Sequence, residues 1–131
     1  MDDSDVVHIS LSDVEIAMIS VERDLIVYDS GASISIFNDY GGHEKLVLPK
    51  KFLMTGNGRI ETSSGFMHPL FGLVYVYEEL PVNIVSAYEI SHNPRYQVVP
   101  YPDDTRDVYD ANGTVFFVRW NKKTLMINME D

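Results

Sequence analysis

Cysteine is absent from all 131 residues. Its absence removes disulfide frameworks, zinc ribbons and thiol nucleophiles, and it fits a reducing compartment. Basic residues are also scarce: 10 Lys+Arg stand against 20 Asp+Glu, giving a net charge of −10. A protein that grips a phosphate backbone needs a basic face to release counterions, so nucleic acid is not the expected partner. Long apolar runs are missing as well. Stretches such as 25–28 and 115–118 fall far short of the ~18 residues of a membrane span. The start, Met1-Asp2-Asp3-Ser4-Asp5, is the reverse of a secretory leader's basic opening. The expectation is a protein neither secreted nor anchored in a membrane.

What the chain does have is 45% hydrophobic residues, enough for the core of one domain over 1–131. Short segments of strand length and composition recur at 6–11, 14–20, 25–28, 33–37, 71–77, 96–99, 115–119 and 125–129. Between them sit Asn38-Asp39-Tyr40-Gly41-Gly42, Gly56-Asn57-Gly58, Pro100-Tyr101-Pro102-Asp103-Asp104 and Asn112-Gly113, all turn chemistry. The pattern is all-β. Ile34 and Ile36 alternate with serines, and Val74 and Val76 with tyrosines, which predicts strands buried mainly on one face. One short helix is expected over 86–92, with Ser86 as N-cap, Glu89 completing a capping box, and Asn93-Pro94 as the stop. The acids crowded into the first 24 residues read as a solvated edge.

Few residues can carry chemistry. His8, His43, His68 and His92 show no metal-ligand spacing, and no metal site is expected. Asn112-Gly113-Thr114 is formally a glycosylation sequon, but between Tyr109 and Val115 it reads as a hairpin turn. Gly56-Asn57-Gly58 is too short for a dinucleotide fingerprint and reads as a hairpin tip. One cluster differs. The apolar run Leu25-Ile26-Val27-Tyr28 leads directly into Asp29-Ser30-Gly31-Ala32-Ser33. An acid where an apolar strand ends sits at a loop among desolvating walls, a setting that perturbs carboxylates. Gly31 permits a sharp turn, Ser30 and Ser33 offer hydroxyls to hold the loop, and Ala32 and Ile34 read as wall or core.

The string Asp29-Ser30-Gly31-Ala32-Ser33 after an apolar strand resembles the catalytic loop of retroviral-type (retropepsin-like) aspartic proteases. Its Ala-Ser continuation is most similar to copia-type LTR retrotransposon members. Two further stretches match: 51–60, with Met54, Thr55, Gly56, Asn57, Gly58 and Arg59, is similar to the glycine-rich flap hairpin. Residues 80–86 are similar to the apolar strand and turn before the short helix of the carboxy-terminal half. The resemblance spans about 6–92, with 93–131 as extension strands. Retroviral enzymes usually carry a Gly-Arg-Asn or Gly-Arg-Asp at Ser86-Ala87-Tyr88 and a partner acid after the catalytic loop; both are missing here.

The resemblance implies a closed retropepsin-like barrel with a flap, in a homodimeric acid-protease architecture. Acid-base hydrolysis of a peptide bond needs one ionised and one protonated carboxyl. The chain holds one Asp-Ser-Gly, and Asp110-Ala111-Asn112-Gly113 is only an echo with the wrong spacing. A C2 homodimer joining Asp29 to its counterpart is therefore expected. In that dimer Asp29 performs the chemistry, Ser30 clamps the loop across the two-fold axis, Gly31 allows close approach, and residues 54–59 form a lid over extended peptide. The implied task is Gag-Pol polyprotein processing, in the cytoplasm or within virus-like particles, with no cofactor and no membrane. The alternative is a catalytically silent retroelement-derived module for dimerisation or peptide binding.

Overall fold

A computed structural model describes residues 6–8, 25–55 and 58–130. The expected strand at 14–20, the end of the one expected at 6–11, and most of the acidic segment lie outside the described residues. The elements are β1 (Val6–His8), β2 (Ile26–Asp29), β3 (Ile36–Phe37), β4 (Leu46–Thr55), β5 (Gly58–His68), β6 (Gly72–Val76) and β7 (Asn83–Ser86). After β7 come the helix α1 (Ala87–Ser91), then β8 (Gln97–Pro100), β9 (Arg106–Asp110), β10 (Gly113–Asn121) and β11 (Thr124–Asn128). The all-β expectation is met.

All eleven strands join one sheet, in the order β1-β4-β5-β6-β3-β7-β2-β11-β10-β9-β8. Neighbours in sequence supply the flanks: β4, β5 and β6 form an antiparallel meander on one side, and β8 to β11 form another. The centre is made from distant segments. There β2 lies parallel to β7, while β3 runs parallel to β6 and antiparallel to β7.

The expected closed barrel is not what forms: among the described residues the sheet has two ends, β1 and β8, that do not pair with each other. The reason lies in the last strands. Met126 of β11 pairs with Val27, so the second meander extends the sheet outward from β2 and carries β8 to its far edge.

One-face burial at β3 and β6 is also not observed. Ile36 and Phe37 are both buried, as are Val74, Tyr75 and Val76. These strands are interior to the sheet, and each of its faces carries its own core. Tyr28, Phe37, Val74, Val76 and Val85 join one cluster with Phe66, Phe116 and Val118. Val27, Ile36, Tyr75 and Ile84 join the other with Ala32, Leu53 and Met126. Alternate residues along one strand thus enter opposite cores, as a period of two requires when both faces are covered.

The turns follow their chemistry. Gly113, at φ +117°, opens β10 opposite Asp110, so the Asn112-Gly113 pair is a hairpin turn. Tyr101 and Thr105 close the β8–β9 connection through an N–H···O bond of 2.9 Å, with Asp104 in the left-handed region at φ 71°.

Candidate active site

Asp29 is the last residue of β2 and is 5% exposed. The strand that delivers it is held on one side by β7, in the register Val27↔Ile84 and Asp29↔Ser86, and on the other by β11. The chain then turns at Ser30 and Gly31, both exposed, and the Gly31 N–H donates to Asp29 Oδ1 at 2.8 Å. The turn thereby orients the carboxylate that precedes it. Ala32 is buried in the core cluster with Val27 and Leu53, Ser33 faces solvent, and Ile34 packs on the edge of that cluster.

Beyond the turn, the loop is tied to the start of α1. Ser86 Oγ donates to the Ala32 carbonyl at 2.7 Å, and the Ser86 N–H donates to Ser35 Oγ at 2.9 Å. The Ser35 N–H donates to Glu89 Oε1 at 2.5 Å, and the Glu89 N–H donates to Ser86 Oγ at 3.1 Å. Ser35 and Ser86 are fully enclosed at 2% and 0% exposure, where an unsatisfied polar group would cost about 1–3 kcal/mol. Half of the expected capping box is present, since Ser86 does cap α1. The other half is diverted. Glu89 turns its carboxylate to the Ser35 amide, because Ser35 Oγ already takes the Ser86 N–H. Burial pushes the Glu89 carboxyl above the ordinary Glu range, and the bonds from Ser35 pull it partway back.

The expected flap is a hairpin of β4 and β5, with Leu53↔Ile60, Met54↔Arg59 and Thr55↔Gly58 in register. Gly58 has φ +117°, and the Arg59 guanidinium lies 4.0 Å from the centre of the Phe52 ring. Gly56 and Asn57 lie outside the described residues. Fully buried Leu53 and half-buried Ile60 share the core cluster that contains Ala32, so hairpin and loop are braced by the same packing. Asp29 lies at the end of a strand and 51–60 within a hairpin, as the sequence predicts, but the sequence does not predict the bonds of Ser35 and Glu89 that tie the loop to α1. Only the Ser86-x-x-Glu89 spacing signalled them, and it pointed to a helix start rather than to a loop 54 residues away.

A separate pocket of about 320 Å³ lies by Asn83, at the opposite end of β7 from Ser86, lined by Phe37, Phe66, His43 and His68 among others. His43 stacks on Phe66 with ring centres 5.0 Å apart, and His68 Nδ1 accepts the Leu70 N–H at 3.0 Å. Burial, and secondarily His43, holds His68 below the usual histidine value. No group of three metal-capable side chains occurs among the described residues.

No family model, curated protein or solved structure matches this chain. Among the described residues no helix is long and apolar enough to cross a membrane.

Proposed function

We propose that this chain is one half of an aspartic endopeptidase with a retropepsin-like fold, active as a homodimer on extended peptide segments. The observation that carries the reading is Asp29 itself. It is a nearly buried carboxylate at the end of an apolar strand, with one oxygen fixed by the Gly31 amide two residues on. A surface Asp-Ser-Gly turn would leave its acid in water. Two supports stand beside it: the parallel β2–β7 pair with β3 crossing beside β7, and the β4–β5 hairpin sharing a core with the loop.

One carboxyl cannot act as acid and base at once. In the dimer, Asp29 of one subunit takes a proton from water while the protonated counterpart donates to the substrate carbonyl oxygen. The water oxygen bonds to the carbonyl carbon; proton transfer to the amide nitrogen then releases the C–N bond. The two carboxyls titrate as a pair. The hairpin pairs with the extended peptide by strand addition and excludes water. By its resemblance to copia-type enzymes the substrate is the retroelement's own polyprotein, processed in the cytoplasm or in virus-like particles.

The test is cleavage of the polyprotein segments flanking this chain, with and without an aspartic-protease inhibitor, by wild type and by Asp29→Asn. The variant is expected to fold and dimerise while turnover falls by at least about 10²–10⁴-fold. Wild-type rate should climb faster than linearly with subunit concentration near the dimer dissociation constant. Equal cleavage by Asp29→Asn would sink the proposal, and so would peptide binding without turnover at any pH from about 4 to 7.

A further inference from the structure

Three bonds connect Ser35, Ser86 and Glu89 in a closed ring. Ser35 N–H donates to Glu89 Oε1, Glu89 N–H to Ser86 Oγ, and Ser86 N–H to Ser35 Oγ. From that ring Ser86 Oγ reaches out to the Ala32 carbonyl. The strand register sets Ser86 directly beside Asp29. The segment from Asp29 to Ser35 is therefore held at both ends, by β2 at its start and by the ring at its finish. Ser30 and Gly31 between them face solvent.

We propose that Glu89 is a positioning residue, whose carboxylate holds the Ser35 amide and so fixes the loop that aims Asp29. The inference rests on reading Asp29 as the catalytic carboxylate. Glu89 acts through Ser35 and, by way of Ser86, through Ala32. Of the ring's three bonds only this one has a charged acceptor, and charge-assisted bonds are roughly twice as strong as neutral ones. It is also the only one made by a long side chain, so a local change in α1 transmits to the loop. A helix cap alone would have satisfied α1 without reaching Ser35.

The reason such a clamp matters is geometric. Displacing a reacting group by about 1 Å can cost 10²-fold in rate. The Ser35 carbonyl is held separately, by the Tyr75 N–H at 3.1 Å, so Glu89 fixes the amide side of this residue, the side that faces back along the loop toward Asp29.

The experiment compares kcat, KM and Ser35 amide exchange in wild type, Glu89→Gln, Glu89→Ala and Glu89→Asp. Gln keeps an acceptor at the same reach, so turnover and slow exchange are expected to be retained. Ala removes the acceptor, and kcat should fall by about 10²-fold with little change in KM while Ser35 exchange accelerates. Asp keeps the charge but withdraws it by one methylene, which gives the same loss in a milder form and covers the case in which Ala fails to fold. Full kcat in Glu89→Asp, or equal loss in Gln and Ala, would overturn the proposal while wild-type turnover leaves the endopeptidase reading standing. Absence of turnover in wild type, with Ser35 exchange still responding to Glu89→Ala, overturns that reading and with it the catalytic meaning of the clamp.

Discussion

At the scale of single residues, the decisive contacts are between side chains and backbone amides far away in sequence. Glu89 illustrates how such a contact couples to pH. Its carboxyl lies above the ordinary Glu value because burial outweighs the Ser35 bonds, so the folded chain binds that proton more tightly than the unfolded chain. Its contribution to stability is complete below the ordinary Glu range and is lost as pH rises through the raised value. Glu89→Gln does not titrate; its melting temperature relative to wild type should therefore rise as pH climbs above the ordinary Glu range. Asp107 behaves oppositely. Tyr101 Oη donates to it at 2.7 Å and Arg119 at 2.7 Å, and these bonds, with Tyr101 foremost, hold its carboxyl below the ordinary Asp range. That contribution is present above the ordinary Asp value and is lost as pH falls through the lowered one. Asp107→Ala should cost about 1–3 kcal/mol in denaturant unfolding near neutral pH. Asp29 was legible because an apolar run and a tight turn are local signals. Ser35 and Glu89 were not, because nothing in the sequence says that residues 54 positions apart meet.

At the scale of elements, the strands with the least apolar sequence were the hardest to read. The stretch Glu61-Thr62-Ser63-Ser64 lies inside β5, yet it carries no alternation of apolar and polar residues. It is a strand because β4 pairs with it, β6 pairs with the residues that follow from Gly65 on, and Thr62 Oγ1 bonds the Val76 carbonyl at 2.6 Å. Gly65 marks the tightest point of this element. A Cβ there would be driven into the Val74 carbonyl oxygen and would lie 2.8 Å from Leu48 Cδ1. Backbone cannot yield as a flexible side-chain end can, so Gly65→Ala should destabilise by at least about 1–3 kcal/mol, read from the denaturation midpoint at unchanged slope. By contrast, the hairpins at Thr55–Gly58 and Asp110–Gly113 were legible, since turn chemistry is specified by adjacent residues.

At the scale of the whole molecule, the apolar alternation was correctly seen but wrongly assigned to core and solvent, because a second core covers the other face. The inner strands cement these cores together: Ile84 and Val85 are neighbours in β7 yet lie in different clusters. The two cores should therefore lose their order together. Ile84→Ala should cost about 2–5 kcal/mol and Phe116→Ala about 3–5 kcal/mol, each lowering one shared transition. Two separated transitions in either variant would contradict that coupling. The closed barrel failed as an expectation because the sequence does not say where β11 docks. Its docking beside β2 has a consequence in time as well as in space. During synthesis, the strand that ends in Asp29 emerges early, but its β7 neighbour follows more than fifty residues later and its β11 neighbour only near residue 126. A ribosome-bound chain therefore carries the aspartate long before it carries the two strands that hold it in place.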